Sequence, residues 1–163
     1  MRPLFSAIVA AGLLASNIAY AAQCARPVER AAFDIAGLKS QLMVTAISCQ
    51  LEDKYNAFIM RYRTDLLTQE RSLNSYFNRA YGRSWQKQHD DYITLLANAE
   101  SEVGIKSGTL FCNQNKVMFD EVMALKNSHD LPGYAAGKTL IQPVTLIDCP
   151  LVTKVKPTRT AKK

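Results

Sequence analysis

The sequence predicts an all-α fold, an up-down-up-down four-helix bundle that ends in an irregular strap and contains two disulfides. Apolar side chains recur at three- and four-residue steps from residue 28 to about residue 127, which is the period of amphipathic helices and not of strands. The connections between these periodic segments are short, so successive helices should run antiparallel. Four cysteines in a short chain can pair as two disulfides.

Length and composition bound the domain organisation. A chain of 163 residues fits one modest domain. Its 48% apolar and 21% charged residues exclude general disorder and a multi-span membrane protein. We predict a signal peptide at residues 1–21, a single disulfide-stapled helical domain at residues 22–150 and a disordered basic tail at residues 151–163.

The predicted signal peptide has the three usual parts. Arg2 is the positive start, residues 4–14 are a short apolar run, and residues 19–21 have the small-x-small pattern of a cleavage site. The run is shorter than the ~20 residues that span a bilayer as a helix, although an uncleaved anchor is the alternative. Gln23 before Cys24 departs from the lipoprotein pattern, in which a small residue precedes the modified Cys. We therefore expect a periplasmic or secreted protein with no transmembrane segment after cleavage.

The first two predicted helices have regular apolar stripes. The first stripe is Ile35, Leu38, Leu42, Ala46 and Cys49. The second is Tyr55, Ile59, Tyr62, Leu66, Leu73, Phe77 and Ala80, with polar Gln69 in the middle. No Pro or Gly interrupts residues 50–81, so we expect one long helix that ends at Gly82. A break at residues 68–71, where the stripe is polar, is the alternative.

The third and fourth helices follow with similar stripes. Ser84 is the expected N-cap of the third helix and Gly104 its expected end. The third stripe is Trp85, His89, Tyr92, Leu96, Ala99 and Val103. The fourth helix is expected to begin near Ser107 or Thr109, and its stripe is Phe111, Asn115, Met118, Val122 and Leu125.

The chain after Asn127 is rich in Pro and Gly and is expected to be too irregular for a helix. Residues 139–147 are β-prone and are predicted to lie as an extended strap across the bundle. The antiparallel topology then favours two disulfides, Cys49–Cys112 at one end of the bundle and Cys24–Cys149 at the other. Four cysteines still permit three connectivities.

One local cluster suggests catalysis, namely His89 followed by Asp90 and Asp91. In a hydrolase these would be the acid–base groups. The alternative is a partly buried polar site in the core, in which His89 hydrogen-bonds to Tyr76 on the second helix. The inward stripes contain no Asp or Glu, and the sequence has no nucleophile elbow, phosphate-binding loop or zinc motif. We therefore expect no enzyme activity, cofactor or metal, and dispersed catalytic groups are the alternative.

Two sets of residues suggest binding. Arg61 and Arg63, with Lys54 beside them, can form a partner or anion face. The alternative is a solvated charged face, in which Arg61 pairs with Asp65 four residues on. Eight aromatic residues at helical spacing either form core or line a cavity for a small apolar ligand: Tyr55, Phe58, Tyr62, Tyr76, Phe77, Tyr81, Trp85 and Tyr92.

The net charge of +6 lies at the two ends of the chain. Six of the 20 basic residues are Arg2, Lys154, Lys156, Arg159, Lys162 and Lys163, and without them 14 basic groups face 14 acidic ones. A nucleic-acid-binding domain is therefore not expected. The basic tail can instead attach the protein to an anionic surface, such as lipid or an envelope polymer, at ~1 kcal/mol per charge.

Three sequence blocks carry a family resemblance: Leu38-Lys39-Ser40-Gln41-Leu42-Met43, Tyr81-Gly82-Arg83 and His89-Asp90-Asp91-Tyr92-Ile93-Thr94. Over residues 24–125 the chain resembles an uncharacterised family of small exported α-helical proteins of Gram-negative bacteria. The resemblance implies a periplasmic address and brings no activity or site residues. We expect a non-enzymatic binding or accessory protein of the cell envelope, whose partner is an envelope protein or an anionic surface. A carrier of a small apolar ligand and a hydrolase using His89 are the alternatives.

Overall fold

The computed structural model describes residues 24–150, and the predicted signal peptide and basic tail lie outside them. Six α-helices run through the described residues: α1 Pro27–Cys49, α2 Glu52–Tyr81, α3 Trp85–Ser107, α4 Leu110–Asn115, α5 Val117–Ala124 and α6 Leu131–Ala136. Single 3-10 turns lie at Gly82–Ser84 and Ser128–Asp130. This part of the chain contains no strand, so the predicted all-α class is confirmed.

Helix α1 is the central element. It contacts α2, α3, α4 and α6, and it is buried over most of its surface. Pro27 stands in its first turn, where the missing N–H would have no helical partner in any case. The helix ends at Gln50, which adopts a left-handed conformation with φ 58°.

Helix α2 is one continuous helix of 30 residues that ends at Gly82, so the alternative of a break at residues 68–71 is not observed. Its buried side chains fall into two groups with ten residues between them: Phe58 and Tyr62, then Leu73, Tyr76 and Phe77. The core divides in the same way. One cluster contains Leu42, Phe58, Tyr62, Phe119 and Leu131. The other contains Phe33, Leu73, Phe77, Tyr92 and Leu96.

The end of α3 differs from the prediction. The helix continues past Gly104 to Ser107. It stops at Gly108, whose φ of +52° is readily adopted only by glycine. The start is where it was predicted, with Ser84 directly before the helix, but the Ser84 hydroxyl donates to the Tyr81 carbonyl at 3.0 Å and makes no capping hydrogen bond to α3.

The predicted fourth helix is two short helices, α4 and α5, which is a correction to the four-helix bundle. Helix α4 packs on α1, where Gln41 Nε2 donates to Asn115 Oδ1 at 2.8 Å. Helix α5 packs on α2, where the Tyr62 hydroxyl donates to the Val122 carbonyl. A single turn residue, Lys116, separates the two helices.

The segment after Asn127 contains a helix that the sequence analysis did not predict, α6. The Asn127 N–H donates to the Asp130 carboxylate at 3.2 Å and begins this turn. Pro132 lies in the first turn, where a helix tolerates it. Leu131 and Ala135, one turn apart, are buried, and α6 packs on α1. Burial of this short apolar face outweighs the local Pro and Gly signals.

The remaining residues, 137–150, form the irregular strap that was predicted. Gln142 fixes its middle: Nε2 donates to the Phe33 carbonyl at 2.9 Å, and Oε1 accepts from the Tyr92 hydroxyl at 2.9 Å. The strap comes so close to α1 that a Cβ at Gly37 would lie 3.1 Å from Gln142 Nε2. A glycine at position 37 therefore permits this close approach.

Two disulfides join the described elements. Cys24 is bonded to Cys149 with a Cα–Cα distance of 4.8 Å, and Cys49 to Cys112 with 5.6 Å. These are the pairs expected from the order of the helices. None of the helices within residues 24–150 has both the length and the apolar character needed to cross a membrane.

Candidate functional site

An open groove lies between α1, α2 and α3, at the gap between the two core clusters. We call it the interhelical groove. It has two lobes, the Tyr55 lobe of about 450 Å³ and the His89 lobe of about 430 Å³. Lys39, Ile59 and Ile93 border both lobes. Volumes of this size are typical of sites for small molecules.

The lining of the groove is mostly apolar. The Tyr55 lobe is lined by Ala36, Lys39, Ser40, Met43, Tyr55, Asn56, Ile59, Ile93 and Leu96. The His89 lobe is lined by Lys39, Ile59, Arg63, Leu66, Leu67, Glu70, His89 and Ile93. Leu67 at its edge is 50% exposed. The groove therefore presents apolar surface to solvent beside a few charged groups.

The position of the groove follows from the sequence of α2. The apolar stripe of this helix is interrupted by Gln69, and no side chain between residues 62 and 73 is buried. Leu66 and Leu67 lie in this stretch and line the His89 lobe, whereas Gln69 lines only a very small cavity against α1. The groove therefore lies where α2 fully buries none of its side chains.

One carboxylate lies among three basic side chains in the His89 lobe. Glu70 Oε1 is 3.0 Å from His89 Nε2, and Glu70 Oε2 is 3.7 Å from Lys39 Nζ. Arg63 makes no salt bridge with any of the described residues. With His89 neutral, the lining of the lobe has a formal charge of +1.

His89 lies in this lobe with carboxylates at both ring nitrogens. Its Nδ1 is 3.1 Å from Asp90 Oδ1, on the side of the ring away from Glu70. The predicted partner, Tyr76, packs against Phe33 with ring centroids 4.9 Å apart, whereas the His89 ring meets the edge of Phe77. The structure therefore gives His89 a carboxylate neighbour where the sequence analysis expected a phenol.

The side chains around His89 bear on the hydrolase alternative. No residue that lines the His89 lobe has a hydroxyl or a thiol. Asp91 binds Lys87 at 2.6 Å on the exposed face of α3. The lobe thus contains a histidine hydrogen-bonded to Asp90, with Glu70 as the carboxylate beside it.

Lys54, Arg61 and Arg63 do not form one face. Lys54 Nζ binds the Asp120 carboxylate at 2.7 Å. Arg61 donates to the carbonyl of Leu125, the C-cap of α5. Both side chains attach α5 to α2, and only Arg63 points into the groove lining.

Two buried carboxylates were missed, because the expected stripes contained no Asp or Glu. Glu100 and Glu29 are each 2% exposed. Glu29 accepts two hydrogen bonds from the Arg79 guanidinium, at 2.6 and 3.3 Å. Glu100 continues the four-residue step from Tyr92 through Leu96, and that step was the signal that could have found it. Ala99, which the sequence analysis placed on the stripe, is only partly buried.

Burial raises the pKa of Glu100 to about 7. The Ile141 N–H donates to this carboxyl and opposes the shift only partly. Its Oε1 has no hydrogen-bond partner among the described residues. Glu100 lies outside the groove lining and holds the strap rather than a ligand.

Of the eight aromatic residues considered for a cavity, Tyr55 lines the groove. Phe58, Tyr62, Tyr76, Phe77 and Tyr92 are core residues. Within residues 24–150 no group of three or more His, Cys, Asp or Glu side chains could hold a metal ion.

The fold and the groove define a class of protein, a disulfide-linked helical protein with an open, mostly apolar groove. Comparison with known proteins found no match, whether among family models, curated proteins or solved structures.

Proposed function

We propose that the protein is an exported, non-enzymatic binding protein of the cell envelope that carries a small apolar ligand in the interhelical groove. The observation that carries this proposal is the groove itself, whose two lobes are each of ligand size and mostly apolar. Large apolar side chains left open to water at a concave surface are typical of binding sites.

Export is supported by the N-terminal sequence and by the disulfides. Disulfides persist in the periplasm and outside the cell and are rare in the cytosol, and all four cysteines of the chain are paired. We propose a periplasmic or secreted location after cleavage following Ala21. Fractionation of a Gram-negative host, with the N-terminus determined by mass spectrometry, tests this; an intact leader in the cytoplasmic fraction would contradict it.

We retain the up-down-up-down course as part of the proposal. The order of contacts supports it for the first two helices, because Glu29 meets Arg79 and Lys39 meets Glu70. The ring contact between Phe77 and Tyr92 supports an antiparallel return of α3. The short helices α4 and α5 together take the place of the fourth helix.

Native mass spectrometry tests the carrier function. We expect protein purified gently from envelope extract to carry a bound small molecule. Ile93→Trp should displace it, because Ile93 borders both lobes. Leu95→Trp is the matched control, since Leu95 is 48% exposed on the same helix and does not line the groove. Equal ligand retention by the two variants would contradict a groove site.

An accessory role with a protein partner is the second candidate, favoured by a different surface. Ile47, Ile105 and Leu110 are 66%, 82% and 60% exposed, and Ile105 lines a cavity beside the Cys49–Cys112 disulfide. A photo-crosslinker at position 105 should then give one discrete product in living cells, and the same crosslinker at exposed Arg83 should not. Equal labelling at both positions would contradict this role.

The proposed attachment to an anionic surface rests on the basic residues beyond residue 150. We expect the mature chain to sediment with vesicles of anionic lipid at low salt and to be released at high salt. A chain truncated after Pro150 should not sediment. Unchanged, salt-sensitive binding of the truncated chain would contradict a role of the tail.

A further inference from the structure

We propose that the groove takes a single-chain amphiphile with an anionic head group, of the fatty-acid carboxylate class. The head would bind Arg63 and Lys39 and the chain would lie along the apolar wall. This inference rests on the carrier function proposed above. It adds the polarity of the ligand and the residues that recognise its head.

The charges of the His89 lobe select an anion. Arg63 has no salt-bridge partner within residues 24–150. Lys39 shares Glu70 with His89, and its 3.7 Å distance to that carboxylate leaves it hydrogen-bonding capacity. A guanidinium binds a carboxylate through two parallel hydrogen bonds, and this geometry favours it over other anion-binding side chains. The lobe therefore has two cationic groups and one acidic group, so one positive charge is not neutralised within the lobe.

The apolar wall selects a chain. Ile59 and Ile93 lie where the two lobes meet, and Met43 and Leu96 continue the wall into the Tyr55 lobe. The apolar side chains thus form a path that begins beside Arg63. Burial of a methylene chain along this path is favourable, because it removes apolar surface from water. An anionic head with one such chain matches both the charge and the course of the groove.

Other occupants fit less well. The chain beyond residue 150 has five basic residues. The excess positive charge of the lobe would repel them. A two-chain phospholipid needs more room than one apolar path beside the charged lobe supplies. The single-chain anion is the occupant that the charges favour.

Calorimetric titration with dodecanoate and with dodecanol, which share a chain and differ in charge, tests the proposal. We expect the mature protein to bind dodecanoate more tightly. Arg63→Gln should weaken dodecanoate binding by about tenfold, as the loss of a charged hydrogen bond predicts, and leave dodecanol binding unchanged. Arg71→Gln is the matched control, because it removes the same charge from α2 at an exposed position outside the groove. Circular dichroism melting checks that both variants are folded.

The outcomes separate this inference from the proposed function. Equal binding of both probes, unaffected by Arg63→Gln but abolished by Ile93→Trp, would keep the carrier function and overturn the anionic head. If neither dodecanoate nor dodecanol binds, both the anionic head and the carrier function are overturned. Tighter binding to phosphatidylglycerol vesicles than to dodecanoate, lost in Arg63→Gln, would overturn the single-chain ligand. A dimer that crosslinks through position 67 would overturn it in favour of a second copy.

Discussion

Glu100 is the residue whose surroundings differ most from those of an ordinary glutamate. It is almost fully buried between α3 and the strap, and its pKa is raised from 4.5 to about 7, with loss of hydration as the largest cause. The unfolded chain therefore loses this proton near pH 4.5, while the folded chain keeps it until about pH 7. Folding stability contributed by this group is complete below pH 4.5 and falls as the pH rises to 7.

We predict that Glu100→Gln removes this pH dependence. Relative to the parent chain, the variant should gain up to about 3 kcal/mol in free energy of unfolding between pH 4.5 and pH 8. Urea unfolding at these two pH values measures the difference. Glu102→Gln is the control, because the pKa of that exposed carboxyl is lowered by Lys106 and its contribution has the opposite sign. Parallel pH profiles of Glu100→Gln and the parent chain would contradict the prediction.

The buried ion pair of Glu29 and Arg79 gives a second prediction at this scale. Arg79 also donates to the Cys24 carbonyl at 2.7 Å, so it joins the end of α2 to the start of the described chain. Arg79→Met leaves Glu29 charged and buried, which should cost about 3–5 kcal/mol of stability. Glu29→Gln combined with Arg79→Met should recover part of this loss. Thermal melts measure both, with exposed Arg83→Met as the control; equal melting temperatures of Arg79→Met and the control would count against a buried pair.

At the scale of the elements, the long helices could be predicted and the short ones could not. The stripes of α1, α2 and α3 extend over several turns, so the 3.6-residue period is unmistakable. The break at Lys116 is marked by no Pro or Gly, and on its two sides Asn115 bonds to α1 and the Val122 carbonyl to α2. Helix α6 exists because Leu131 and Ala135 are buried, although Pro132 lies between them. Neither the break at Lys116 nor the burial of the α6 face is visible in the local sequence.

The groove, like the helices, could be predicted only in part from the sequence. The polar interruption at Gln69 was visible in the sequence and was interpreted as a possible end of a helix. In the structure the helix continues through Gln69, which lines a very small cavity against α1 and neither lobe of the groove. Arg63 and His89 were candidates, whereas Glu70 was not, because only the crossing of α2 and α3 brings it to His89.

The junction between α1 and α2 gives a prediction for an element. Gln50 is the one described residue other than glycine with a positive φ, and it is exposed. The left-handed conformation costs such a residue about 1 kcal/mol relative to glycine. Gln50→Gly should therefore raise the free energy of unfolding by about 1 kcal/mol, less a small entropic loss. Chemical denaturation measures it, and Gln50→Ala should give no such gain. A destabilised Gln50→Gly would mean that the Gln50 side chain has a stabilising contact in solution.

At the scale of the whole molecule, the two disulfides act on different parts. Cys24–Cys149 closes the strap over the start of α1, with a sequence separation of 125, and Cys49–Cys112 joins the end of α1 to α4, with a separation of 63. In the chain-entropy account each bond stabilises by about 4 kcal/mol, and a doubled loop adds only about 0.6 kcal/mol. Their effects on global stability should thus be similar, while their local effects should differ.

We predict that replacing Cys24 and Cys149 by Ser frees the strap only as far as Gln142. The N–H of residue 149, which donates to the Ala25 carbonyl at 2.9 Å, should exchange faster, because it lies next to the lost disulfide. The Ile147 carbonyl, which accepts from the Ala25 N–H at 2.7 Å, and Asp148, which binds Arg30 at 3.0 Å, should limit how far the loosening spreads. The Ile141 N–H should stay protected by Glu100 and by the two hydrogen bonds of Gln142. Hydrogen exchange resolved by residue measures both amides. Because α1, α2 and α3 alone line the groove, dodecanoate binding should be unchanged in this variant. Loss of binding together with protection at Ile141 would mean that the strap, and not only the three long helices, shapes the groove.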